Sequence, residues 1–109
     1  YPSLSSETQR QLAESQFLDG KAGCIVTFTL QGGKDAAVQF MRAAARIPFC
    51  PSLGEISTTL SHPASTSHRG LSEQQQHQLG IEEGTLRLSV GTESTRYVLD
   101  AVDEGLRAC

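Results

Sequence analysis

The sequence predicts a small α/β domain in which three or four short, mostly antiparallel strands are covered by helices. Three observations carry that prediction. Residues 24–30 and 85–90 alternate apolar and polar side chains with the period of two that a half-buried strand requires. Residues 35–46 and 93–107 switch to helical spacing. The chain has 109 residues, 38% of them hydrophobic and none tryptophan, enough for one modest aliphatic core.

Each element follows from its own residues. Ser6-Glu7-Thr8-Gln9 has the form of a capping box opening a helix that runs to about Phe17, with an apolar face so thin that it calls for support from outside the chain. Gly20 and Gly23 bracket the turn into the first strand, where Cys24, Val26, Phe28 and Leu30 share one face and Thr27 and Thr29 the other. Gly32-Gly33 ends it. In the helix at 35–46, Val38, Met41 and Ala45 form the stripe expected to be buried, opposite Gln39, Arg42 and Arg46. Pro48 stops this helix, because the residue before proline is pushed out of helical space.

An extended piece, Phe49-Cys50-Pro51-Ser52-Leu53-Gly54, leads to a short strand at 58–62 that Pro63 closes. Residues 64–71 read as an irregular loop, and Ser72-Glu73-Gln74-Gln75 as a second capping box for a short helix ending at Gly80. Along 85–90, Leu86, Leu88 and Val90 point one way and Thr85, Arg87 and Ser89 the other. The last helix, 93–107, is expected to bury Leu99, Val102 and Leu106. Its wet face pairs Arg96 with Asp100 and Asp103 with Arg107.

Bulk properties narrow the function classes. The formal net charge is -3 with both signs interspersed, and no basic patch carries interleaved aromatics, so a nucleic-acid partner has no electrostatic support. The apolar runs are too short for a membrane-spanning helix, and no partner in a membrane is expected. Cys24, Cys50 and Cys109 are widely spaced and read as reduced thiols of a cytoplasmic protein, with neither a disulfide framework nor a zinc site. The chain begins at Tyr1 and its one methionine is Met41, which suggests a piece of a longer protein.

Among side chains that carry chemistry, Arg87 stands first. It projects from the strand face opposite the apolar one, and its planar, permanently charged guanidinium offers a fork of donors that fits a carboxylate. On the pattern alone, an exposed strand arginine in an ordinary surface pair is the favoured reading. Ser52-Leu53-Gly54 is either an anion-holding turn of hydroxyl and backbone donors or a plain turn. His62 and His68 lack metal-ligand spacing, and Ser65, Thr66 and Ser67 lack the surroundings of a nucleophile. Lys21 and Lys34, the only lysines, lie in glycine turns that cannot desolvate a Schiff-base amine.

The ordered series Ser52-Leu53-Gly54, His62-Pro63-Ala64-Ser65-Thr66-Ser67-His68, Gly80-Ile81 and Leu86-Arg87-Leu88-Ser89-Val90-Gly91 closely resembles the C-terminal domain of the trans-sulfuration family of pyridoxal-phosphate (PLP) enzymes. Tyr1-Pro2 and Phe28-Thr29-Leu30-Gln31-Gly32-Gly33 fit the same pattern, so the resemblance covers nearly the whole chain. It implies that residues 1–109 are the small C-terminal, substrate-binding domain of a fold-type I PLP enzyme. Arg87 would grip a substrate α-carboxylate, Ser52 would help with the backbone of Leu53 nearby, and Ser67 would line the pocket. His62 and His68 become scaffold.

By the same resemblance, pyridoxal 5'-phosphate and its lysine belong to a large domain outside this chain. This chain alone would then hold no catalytic, cofactor or metal residue and would be inactive. The activity implied is γ-elimination from, or γ-replacement on, an amino acid such as methionine, cystathionine or an O-acylhomoserine, within a homotetramer. Pro51, Glu55 and Thr66-Ser67 depart from the usual pattern and blur the side-chain pocket without touching the carboxylate grip. The form of the motif is nearer methionine γ-lyases and O-acylhomoserine sulfhydrylases. The rival reading is a stand-alone, non-catalytic interaction module built on the same fold.

Overall fold

A three-stranded antiparallel sheet organises the molecule, and residues 6–109 are described by the structure, a computed structural model. Tyr1-Pro2 of the family-like pattern therefore lies outside the described residues. The elements run α1 (Glu7–Gln16), β1 (Ile25–Thr29), α2 (Gly33–Ala43), β2 (Thr59–Ser61), α3 (Glu73–Gln78), β3 (Thr85–Ser89) and α4 (Thr95–Leu106). The order across the sheet is β1-β3-β2, which puts β3 in the middle. Residue Phe49 extends the β2 edge by a parallel bridge to Leu60: the Leu60 N–H donates to Pro48 O at 2.9 Å and the Cys50 N–H to Leu60 O at 2.8 Å. That bridge brings the chain through Ser52 alongside the sheet.

One sheet face makes the core. Leu60, Leu86 and Leu88 are buried there, with Val26, Phe28 and Leu30 packed against them. Helices α2 and α4 cover it with Ala37, Phe40, Val98 and Ala101, joined by Ala44 just past the end of α2. Phe40 is fully buried and meets Phe28 edge to face at 5.5 Å, a favourable quadrupole arrangement. Full burial of such a side chain stabilises by about 1.5–3 kcal/mol. The helices cross at Gly105, where a Cβ would come within 2.7 Å of the Phe40 ring, so the crossing needs glycine.

The strand phases match the sequence reading, and the helix phases do not. Helix α2 buries Ala36, Ala37 and Phe40 in place of the predicted stripe: Met41 and Val38 are half-buried and Ala45 is exposed. Helix α4 buries Val98, Ala101 and Gly105, leaving Leu99 and Leu106 exposed and Val102 half-buried. The physical reason is proximity. The helices pack so closely around Phe40 that small residues face inward and the large ones are displaced to the rim. Cys24 likewise stays exposed, just outside β1.

Caps divide the same way. Ser72 forms the full reciprocal capping box with Gln75. Ser6 occupies the N-cap of α1 but its side chain makes no capping bond, and no residue of α1 is buried. The wet-face pairs of α4 are present, Arg96 to Asp100 at 2.9 Å and Arg107 to Asp103 at 2.7 Å.

Candidate functional site

The sheet face opposite the core is where Arg87 lies. Because β3 is central, Arg87 is flanked across the ladder by Thr27 on β1 and Ser61 on β2. On β2 and β3 this face is not the wet surface its polar residues suggest, since Thr59, Ser61, Thr85 and Ser89 are all buried, while Ile25, Thr27 and Thr29 of β1 are exposed. Arg87 itself is half-buried. Its Nη2 donates to the Ser52 carbonyl at 3.2 Å, while its Nε is buried without a partner. Among the described residues no carboxylate pairs with it. A buried unpaired donor costs about 1–3 kcal/mol, more when charged, so this guanidinium is under-satisfied as it stands.

Thr59 shares the condition. Its Oγ1 is buried with no partner, two residues along β2 from the Ser61 that faces Arg87. The other end of the face is well satisfied. Thr85 Oγ1 lies 3.0 Å from Thr29 Oγ1 and accepts the Glu82 N–H at 2.9 Å.

The segment that carries Ser52 is tied down at its far end. The Thr92 N–H donates to Ile56 O at 2.8 Å. The Glu93 carboxylate accepts the Thr58 N–H at 2.7 Å and the Thr58 hydroxyl at 2.8 Å, and the Gly91 N–H donates to that same hydroxyl oxygen at 3.0 Å. The Thr58 backbone N–H first, and its hydroxyl second, hold the Glu93 carboxyl below its ordinary range, because both bonds favour the charged form. Gly91 is required by close approach: a Cβ there would sit 2.3 Å from Ile56 O and 2.5 Å from Thr58 N. Sequence reading missed both Thr59 and the Thr58–Glu93 seam. The one signal was Gly91 with Thr92-Glu93 behind it, which reads as the end of a strand.

The remaining candidates separate. Ser52 is brought to Arg87 through its carbonyl, and Leu53 beside it is exposed. Ser67 is exposed, and its hydroxyl bonds His68 Nδ1 at 2.8 Å. His62 is buried with both ring nitrogens engaged. Nε2 lies 2.6 Å from the Glu83 carbonyl and Nδ1 2.7 Å from Ser65 Oγ. A carbonyl only accepts, so Nε2 donates its N–H to Glu83. That is a scaffold role, linking the end of β2 to the turn before β3.

A cleft of about 320 Å³ lies between α3 and residues 81–83, lined by Glu73, Gln76, His77, Ile81, Glu82 and Glu83. Its carboxylates disfavour an anionic ligand, and it includes neither Arg87 nor Ser52. Among the described residues no group of three or more His, Cys, Asp or Glu could hold a metal, and no helix is long and apolar enough to cross a membrane. The three cysteines are free thiols.

Comparison with known proteins bears on this geometry. The sequence profile of the family described as Cys/Met metabolism PLP-dependent enzyme matches residues 1–107. The chain is 35% identical over 108 residues to O-succinylhomoserine sulfhydrylase of Pseudomonas aeruginosa, covering 99% of this chain and 26% of that protein. It is 36% identical over 108 residues to L-methionine gamma-lyase of Pseudomonas putida, covering 99% and 27%. In structure it is similar to cystathionine gamma-lyase from yeast, with TM-score 0.90, 28% identity and coverage of 99% and 28%. Cystathionine gamma synthase from Xanthomonas oryzae pv. oryzae, in complex with cystathionine, gives TM-score 0.84 at 30% identity, covering 99% and 27%. The chain thus spans about a quarter of the length of these relatives.

Proposed function

This chain belongs to the Cys/Met metabolism PLP-dependent enzyme family, and we propose that it is the domain of such an enzyme that grips the substrate α-carboxylate, with Arg87 as the clamp. The single observation that carries the proposal is the half-buried Arg87 guanidinium, with one buried donor unpartnered and another resting on the Ser52 carbonyl. A cation so placed, with no carboxylate partner among the described residues, is arranged to receive one from a ligand.

The family's cofactor is pyridoxal 5'-phosphate, and the described residues do not fit it. Lys21 is exposed and paired with Asp19, and Lys34 is exposed on the first turn of α2. Neither amine is desolvated, as a Schiff-base lysine needs to be. We therefore assign the cofactor to residues of the parent protein outside this chain, and no step of the chemistry to residues 6–109. This chain's part is orientation. Arg87 exchanges the Ser52 carbonyl for a ligand carboxylate, the turn at Ser52 and Leu53 lies beside it, and the substrate is held in one pose for chemistry performed elsewhere.

The parent activity that fits is γ-elimination or γ-replacement on a sulfur amino acid or O-acylhomoserine. The names of the relatives support this reading. Exposure of Leu12, Phe17, Leu18 and Ile25, together with an α1 that buries nothing, supports docking against further protein of the same enzyme. Three free thiols suit a cytoplasmic address, and a homotetramer is the assembly we propose for the parent. The test is Arg87→Ala in the parent protein. The visible band of the bound cofactor should remain while kcat/KM for an amino-acid substrate falls about 10- to 100-fold. Unchanged kinetics would remove Arg87 from the site.

A further inference from the structure

Among the described residues two buried side-chain polar atoms lack partners, Arg87 Nε and Thr59 Oγ1, and both lie on the same face of the same strand pair. In the β2–β3 ladder Thr59 stands opposite Ser89 and Ser61 opposite Arg87. Thr59 and Arg87 are therefore diagonal neighbours, a relation that spans about 7–8 Å between backbones and is within reach of a long side chain. Their chemistry is complementary. A guanidinium Nε–H can only donate, and a threonine hydroxyl can accept. Thr59 is only 3% exposed, so solvent does not offer it an alternative.

We propose that Thr59 is a positioning residue for Arg87: its hydroxyl accepts the Nε–H when the guanidinium leaves the Ser52 carbonyl to hold a carboxylate. The inference rests on the carboxylate-clamp reading of Arg87 and deepens it. In the arrangement described, Nη2 is occupied by Ser52 and Nε by nothing. Rotation toward Thr59 frees Nη2, satisfies both orphaned atoms at once and anchors the stem of the arginine. The outward Nη groups then present a fixed fork to the ligand. The alternation of β2 excludes Leu60, which faces the core, and of the two hydroxyl residues left on this face, Thr59 and Ser61, it is Thr59 whose buried oxygen lacks a partner. Arg87 thus has two resting points, and the ligand selects between them.

The experiment uses the PLP-loaded parent protein and two probes, glycine and methylamine, which is glycine without its carboxylate. Affinities are read from absorbance titrations for wild type, Thr59→Val, Thr59→Ser, Arg87→Lys and the Thr59→Val/Arg87→Lys double variant. Valine keeps the shape and removes the hydroxyl, and Thr59→Ala is carried alongside as a second deletion should valine misfold. Thr59→Val should weaken glycine about tenfold and leave methylamine unchanged. Thr59→Ser should stay within about twofold of wild type. In the Arg87→Lys background, which has no Nε–H of this geometry, removal of the hydroxyl should cost nothing further. The bracing role is overturned if hydroxyl-deleted variants bind glycine as wild type does, if they weaken glycine and methylamine alike, or if their effect persists in the lysine background. Failure of the underlying reading is distinct: Arg87→Lys itself would then leave glycine binding untouched.

Discussion

The two faces of one three-stranded sheet are built by opposite rules. The core face sets Leu60, Leu86 and Leu88 against Phe40 and the small residues of α2 and α4, and everything on it is apolar. The other face buries Thr59, Ser61, Thr85 and Ser89 around a half-buried arginine, and two of its polar atoms have no partner. Dry apolar contact is the main favourable term in folding, whereas burial of an unpaired donor opposes it. The first face therefore supplies stability. The second retains a local cost that a ligand's carboxylate would relieve, which is what a binding surface looks like before its ligand arrives.

That division can be broken from either side. The largest effect is expected on the core face. Phe40→Ala empties the space between Phe28 and Gly105 and should lower unfolding free energy by about 3–5 kcal/mol, read by urea denaturation. In whatever fraction remains folded, affinity for glycine should be unchanged. Gly91→Ala sharpens the comparison because it acts at the seam. The new methyl group collides with the backbone of residues 56–58, so it should cost about 1–3 kcal/mol and also weaken glycine, since the Ser52 segment hangs from that seam. A loss of stability with no loss of affinity would uncouple the segment from the site.

The smallest effect is the titration of Glu93. Its carboxyl is held below the ordinary value of 4.5, so the stabilisation it gives is present in full above that value and is lost as pH falls through the lower folded value. Glu93→Gln should therefore melt below wild type at neutral pH, and the gap should close in acid. A gap that stayed constant from neutral pH to acid would remove the carboxylate's charge from the seam.

Much of this was legible in the residues. The alternation of 85–90 placed Arg87 opposite the core-facing leucines, and the ordered motifs from Ser52 to Gly91 pointed to the family now matched over residues 1–107. The helix faces were misread for a physical reason. Size draws the eye to Leu99, Leu106 and Met41, but at the α2–α4 crossing only Ala101, Ala37 and Gly105 are small enough to let Phe40 in. Thr59 was out of reach altogether. Its significance depends on the β2–β3 register, a pairing between residues far apart in the chain that no local pattern encodes. Ser6 and Ser72 make the same point about caps, since equal local patterns gave a bonded box in one case and none in the other.

The central claim, that Arg87 is a clamp for a ligand carboxylate, is tested most directly by a crystal structure of the parent protein with a bound amino acid. The account predicts charge-assisted hydrogen bonds of about 2.7–2.9 Å from the Arg87 guanidinium to the ligand carboxylate, with the Ser52 carbonyl released. A ligand whose carboxylate is held by other groups, while Arg87 still rests on Ser52, would contradict it.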